Sequence, residues 1–111
     1  MSALRVLFLC SRNRLRSPTA ETVFRAWPQL EVDSAGLAPD AETPLSSEQL
    51  AWAELILVME DTHKRRLQQR FAGQLKGKRV TVLGIPDDYD FMQPELIELL
   101  LRKAGPMLRQ G

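Results

Sequence analysis

Apolar residues fall along this chain in short unbroken runs, separated by stretches with helical spacing. Residues 4–9 form a nearly continuous apolar run rich in branched side chains. A run of that length suits a strand buried on both faces rather than a helix. Residues 10–16 are polar and basic, hence a loop. Ser17 then stands where a helix N-cap belongs, with Pro18 at the first helical position and Glu21 in the first turn. Ala20, Val23, Phe24 and Trp27 recur at helical spacing, and Pro28 ends that helix. A brief second strand over residues 31–34 closes at Gly36, followed by a loop over 37–43. Ser46 or Ser47 caps a short helix through Trp52, and residues 55–59 form a third, buried strand. Asp61 or Thr62 caps a helix reaching about Phe71, with Leu67 and Phe71 four apart on one face. Gly73 and Gly77 break it. Residues 79–85 are β-branched and predict a fourth strand, and 86–90 a turn. A last amphipathic helix spans residues 94–103 and stops at Gly105-Pro106.

Strands alternating with helices favour a parallel sheet covered on both faces. In such α/β folds ligands bind beyond the carboxyl ends of the strands. Cys10 ends the first strand and Asp87 follows the fourth, so both can line one crevice.

Composition narrows the class. The chain has 111 residues, 44% hydrophobic and 26% charged, which fits one packed domain over residues 1–111. A net charge of +1 leaves no general case for a nucleic-acid partner. No apolar run approaches the ~20 residues of a membrane span, and residues 6–10 are too short for a signal-peptide core. One cysteine excludes an internal disulfide and a multi-cysteine zinc site. A lone thiol fits a reducing compartment, so the expected location is cytoplasmic.

The chemistry concentrates in Cys10-Ser11-Arg12-Asn13-Arg14-Leu15-Arg16-Ser17. Five residues separate Cys10 from Arg16, between a strand and a helix start. Such a loop can turn its backbone N–H groups inward around a tetrahedral oxyanion. The helix behind it adds unsatisfied N–H groups and a positive dipole end. Arg16 returns beside Cys10 and can grip two phosphate oxygens. These surroundings favour a thiolate, the nucleophilic form of cysteine. Asn13 tolerates the left-handed backbone a tight nest needs. The Ser17 hydroxyl either donates to the sulfur or caps the helix. Set against this, a lone cysteine after a strand is ordinarily a small buried hydrophobe, and Arg12 and Arg14 can be read as solvated loop charges. A leaving group also needs a proton. Asp87, Asp88 and Asp90 are candidates, although an aspartate-rich turn is ordinarily only a turn.

Residues 6–13 (VLFLCSRN) and 16–21 (RSPTAE) resemble the phosphate loop of low-molecular-weight protein tyrosine phosphatases. Residues 33–36 (DSAG), 53–59 (AELILVM) and 85–89 (IPDDY) resemble, in order, that family's second strand and turn, third strand and general-acid loop. The resemblance implies a three-layer α/β/α fold on a four-stranded parallel sheet. It implies Cys10 as nucleophile, Arg16 as clamp and Asp87 as general acid. The phosphate sits within Ser11, Arg12, Asn13, Arg14, Leu15, Arg16 and Ser17, and Tyr89 and Asp88 flank the substrate. Leu15 stands where the family commonly carries a second cysteine. Asp88 stands where it has a proline, so Asp87 and Asp88 both remain candidates for the acid. The 37–52 stretch is shorter than in longer members, which opens one wall of the crevice. Arg12 and Arg14 at that mouth predict a preference for substrates carrying further negative charge.

The expected ligands are therefore a phosphorylated protein or small phosphomonoester, with phosphate, sulfate or another oxyanion in the loop. No metal, cofactor, nucleic acid or membrane is expected. Three other readings compete. Arsenate reduction on this fold requires an external thiol, because Cys10 stands alone. A phosphocarrier must preserve its phosphocysteine, which a nearby acid and clamping arginine oppose. A non-catalytic oxyanion-binding module retains the nest without turnover. His63 reads as an exposed helical histidine. Lys64, Arg65, Arg66 and Arg70, with Lys76, Lys78 and Arg79, read as a solvated surface rather than a nucleic-acid face, because no aromatic residues interleave with them.

Overall fold

The computed structural model describes residues 3–109. Strands β1 (Leu4–Cys10), β2 (Leu30–Gly36), β3 (Leu55–Val58) and β4 (Arg79–Val82) form one parallel sheet in the order β2-β1-β3-β4. Helices α1 (Arg16–Phe24), α2 (Ser47–Trp52), α3 (Asp61–Phe71) and α4 (Pro94–Leu108) cover it, with a 3₁₀ turn over Ala72–Gln74. β1 is central and pairs with both β2 and β3. That position accounts for its unbroken apolar run. Val6 and Phe8 face the α1/α4 layer with Phe24, Leu96 and Leu100. Leu7 and Leu9 face the α2/α3 layer with Leu50 and Leu67. Phe8 stacks on Phe24 with ring centroids 5.6 Å apart, and Trp27 meets Phe24 edge-on at 5.0 Å.

The link from β2 to β3 crosses over β1, as the sheet order requires. Its eighteen residues, 37–54, leave room for the six-residue α2. Ser46 caps that helix, its Oγ accepting from the Gln49 N–H at 3.2 Å while Gln49 Oε1 accepts from the Ser46 N–H at 3.1 Å.

Four local expectations change. The first helix ends at Phe24, and Trp27 instead closes a turn by donating its N–H to the Phe24 carbonyl at 3.0 Å. Pro28 disfavours helical backbone at the preceding residue. The regular ladder of β4 ends at Val82, because Gly84 adopts φ 71°. Leu83 and Ile85 still donate to the Val58 and Met59 carbonyls, both at 2.8 Å. α3 starts one residue earlier than either expected cap allows, with Glu60 as its N-cap. The largest change is α4, which continues through Pro106 to Leu108. A helix-interior proline costs about 3 kcal/mol. Opposing that cost, the last turn buries Leu108 completely beside Ala104, and full burial of a leucine contributes about 1.5–3 kcal/mol. Gly105 packs close to the Trp27 ring.

Candidate active site

The loop 10–16 owes its shape to what lies behind it. The Leu37, Ala38 and Glu42 N–H groups donate to the Cys10, Ser11 and Arg12 carbonyls at 2.9, 2.7 and 3.1 Å. In a trans peptide the carbonyl of one residue and the N–H of the next point opposite ways. Holding these three carbonyls on the 37–42 side therefore turns the following N–H groups toward the cavity. No backbone carbonyl among the described residues accepts from the Arg12, Asn13 or Arg14 N–H. Gly36 permits the approach. A Cβ there would lie 2.7 Å from the Ser11 carbonyl oxygen and 2.5 Å from the Ala41 Cβ.

Asn13 takes φ 55°, the left-handed conformation expected of it. Its buried side chain lies under the loop, where Oδ1 accepts from the Ser17 hydroxyl at 2.9 Å. The same hydroxyl lies 2.9 Å from Cys10 Sγ. Ser17 therefore does not cap α1. The N-cap is Leu15, without a side-chain bond, and Ser17 is fully buried in contact with the sulfur. Of the two roles open in the sequence, the structure supplies the contact to sulfur.

Arg16, only 4% exposed, enters the cavity from the first turn of α1. Its Nη1 donates to the Ile85 carbonyl at 2.8 Å and to Glu60 Oε2 at 2.5 Å. Both bonds use Nη1, which leaves Nε and Nη2 for a ligand. Asp87 Oδ1 stands 3.7 Å from Nε. Cys10, Ser11, Arg12, Arg14, Leu15, Arg16 and Asp87 together line a cavity of 570 Å³. Asp88 is exposed and outside that lining. Tyr89 is half-buried because its ring packs at the edge of the α1/α4 core, so it too stands outside the lining. Arg12 pairs with Asp40 at 3.1 Å and Arg14 with Glu42 at 3.6 Å. The positive potential expected at the mouth is therefore largely offset at these two arginines.

His63 corrects the sequence reading outright. It is 1% exposed rather than solvated. Its place at the third position of α3 brings the ring against the loop 10–16 that follows β1, where it meets Ser11. Nδ1 accepts from the Glu60 N–H at 3.0 Å, and Nε2 lies 3.1 Å from Ser11 Oγ. Burial, reinforced by the Arg16 cation, lowers its pKa to about 4. The ring is neutral at pH 7. With Nδ1 accepting, the network assigns the proton to Nε2, which donates to Ser11. Glu60 and His63 are the two site residues that the sequence reading did not find. The signal was the Glu60-x-x-His63 spacing ahead of a helix, a capping pair in unusual residues.

A stability prediction follows from His63. The folded chain holds its ring unprotonated down to about pH 4, whereas an unfolded histidine takes its proton near pH 6.5. Between these values the unfolded state binds more protons, so stability falls as pH drops from 6.5 toward 4. The expected contribution is about 2 kcal/mol, allowing for screening at the cavity edge. Urea midpoints of the wild type and His63→Gln at pH 7 and pH 4.5 measure it. The stability gap between them should narrow at pH 4.5, and a constant gap refutes the linkage.

Among the described residues no helix is long and apolar enough to cross a membrane, and no three His, Cys, Asp or Glu side chains cluster as a metal site. The sheet order, with a cysteine-to-arginine loop at the carboxyl end of its central strand, is the fold of the low-molecular-weight protein tyrosine phosphatases. The chain is similar to SP-PTP, a low-molecular-weight protein tyrosine phosphatase of Streptococcus pyogenes, at TM-score 0.75 and 16% identity over 97% of this chain and 93% of that one. It is similar to the tyrosine phosphatase Wzb of Escherichia coli, solved with phosphate, at TM-score 0.76 and 21% identity over 96% and 98%. It is also similar to YwlE of Geobacillus stearothermophilus, an arginine phosphatase, at TM-score 0.66 and 24% identity over 94% of each chain. At these identities the likeness establishes the fold. No protein-family model and no curated protein matches the sequence.

Proposed function

We propose that this chain is a phosphatase that hydrolyses phosphate monoesters, of the phosphotyrosine type, through a phosphocysteine intermediate on Cys10. The observation that carries this reading is one cavity holding Cys10, the buried Arg16 guanidinium and Asp87 together. The loop N–H groups and Arg16 Nε and Nη2 take the non-bridging phosphate oxygens. Cys10 Sγ attacks phosphorus as a thiolate while the bond to the leaving oxygen breaks. Ser17 Oγ lies 2.9 Å from the sulfur, and once Cys10 is a thiolate its single proton turns from Asn13 Oδ1 to the sulfur, steadying it before attack and again as it leaves. Asp87 delivers a proton to the leaving oxygen. In the second half, Asp87 accepts a proton from water, the water oxygen bonds to phosphorus, and the S–P bond breaks. Inorganic phosphate and the thiolate result. The partners in this reading are a phosphorylated protein or a small phosphomonoester, in the cytoplasm.

The test is turnover by the purified chain, with an aryl phosphate, an alkyl phosphate and phosphoarginine compared side by side. Hydrolysis of the aryl ester, inhibited by inorganic phosphate, is the expected result. The arginine-phosphatase relative makes phosphoarginine the informative competitor. A folded protein that binds phosphate but turns over none of the three is the oxyanion-binding module instead.

A further inference from the structure

A second cavity, of 510 Å³, adjoins the first and shares Ser11 and Arg12 with it. Its remaining walls are Leu37, Ala38 and Pro39 on one side and Arg66 and Arg70 of α3 on the other. We propose that this cavity is a second anion subsite, which binds an acidic group two or three residues from the scissile phosphate on the same substrate chain. The proposal rests on the phosphatase reading and adds the substrate class to it.

The placement follows from helix geometry. His63, Arg66 and Arg70 are spaced three and four apart on α3 and so share one face. His63 touches the phosphate loop through Ser11. At 1.5 Å per residue, Arg66 and Arg70 lie roughly 5 and 10 Å farther along the axis. An extended peptide advances about 3.3–3.6 Å per residue, so its second or third neighbour comes level with them.

The charges suit the role. Arg12 is engaged by Asp40, but among the described residues neither Arg66 nor Arg70 has an acidic partner. Arg70 is already stationed. Its Nη1 donates to the Leu37 carbonyl at 2.6 Å, and its guanidinium carbon lies 5.3 Å from the Phe71 ring centre. A guanidinium held in place loses less freedom on binding an anion. The opposite wall is formed by Leu37, Ala38 and Pro39, while Arg66 and Arg70 are exposed, so an anion bound between them keeps part of its hydration and the gain is that of surface pairs.

The occupant is a carboxylate or a second phosphate, and the test separates them. Three phosphopeptides are compared: one with neutral neighbours, one with glutamates at the second and third positions on both sides, and one with a second phosphate there. Each is measured for kcat/KM and, on Cys10→Ser, for binding, at low and high salt. Either acidic peptide should exceed the neutral one by about fivefold at low salt, the scale of two exposed ion pairs. The larger advantage identifies the anion. The advantage should vanish in Arg66→Gln/Arg70→Gln, with hydrolysis of a free aryl phosphate unchanged. Arg66→Gln alone, which breaks no hydrogen bond seen here, should remove part of it. Arg79→Gln makes the same charge change at the opposite ends of the strands and should leave the advantage intact. No preference in the wild type, or an equal loss from Arg79→Gln, overturns the proposal. Because binding is read without turnover, an inactive wild type would refute the phosphatase reading while the subsite is still decided.

Discussion

Cys10→Ser should abolish turnover while phosphate binding stays close to wild type. In the proposed mechanism the loop N–H groups and Arg16 hold the anion, and neither depends on the sulfur. Only the nucleophile changes, from sulfur to a hydroxyl oxygen that is far harder to deprotonate. Removal of a covalent nucleophile costs on the order of 10⁴-fold or more in kcat. Arg16→Ala should lose turnover and binding together. That variant also leaves the Ile85 carbonyl and Glu60 without their partner, so its folding must be checked. Arg16→Lys is the companion variant, because it keeps the charge and lacks the planar fork. It should bind phosphate weakly in a folded protein. Steady-state rates with an aryl phosphate, and titration calorimetry with inorganic phosphate, give both readouts. Substantial turnover by Cys10→Ser would exclude a phosphocysteine.

Asp87→Asn should slow hydrolysis by roughly 10²–10⁴-fold for esters with a basic leaving group, the scale of a lost general acid. The effect should shrink toward nothing for a strongly acidic phenol, whose oxygen leaves without a proton. The position of Asp87 adds a second signature. Its carboxylate stands 3.7 Å from Arg16 Nε in the same cavity, where it repels an incoming phosphate. Neutralising it should therefore tighten inorganic phosphate while kcat falls. A purely structural role would weaken binding and rate together. Asp88→Asn is the control, since Asp88 stands outside the cavity. If Asp88→Asn carries the loss and Asp87→Asn is silent, the acid is Asp88.

The residues that the sequence exposed most clearly are those whose neighbours in the chain are also their neighbours in space. Cys10, Asn13 and Ser17 lie within one strand–loop–helix unit, so their spacing already puts the sulfur, the left-handed turn and the hydroxyl close together, and the 37–42 segment then fixes the loop's shape. Arg16 is legible for the same reason. Residues that reach the site from elsewhere were harder. His63 and Glu60 arrive from the turn after β3, and polar side chains beside Lys64, Arg65 and Arg66 look solvated until that turn is laid against Ser11. Arg12 and Arg14 line the cavity as expected, but what faces them there was not visible in the sequence. Their acidic partners Asp40 and Glu42 come from the 37–43 loop, which local pattern cannot dock.

What the sequence by itself determined is the alternation of elements and the loop from Cys10 to Arg16 between β1 and α1, because periodicity, Pro18 and the Cys10–Arg16 spacing act within a few residues. What only the tertiary structure decided is the set of contacts made across the sheet. The β2-β1-β3-β4 order places the ends of β1, β3 and β4 side by side, and it thereby selects Glu60, His63 and Asp87 as the groups around Arg16 and Ser11. The same holds for α4, where local chemistry calls for a stop at Pro106. Burial of Leu108, beside the close packing of Gly105 on Trp27, opposes that stop, and such packing exists only once the helix lies against α1 and the turn that follows it.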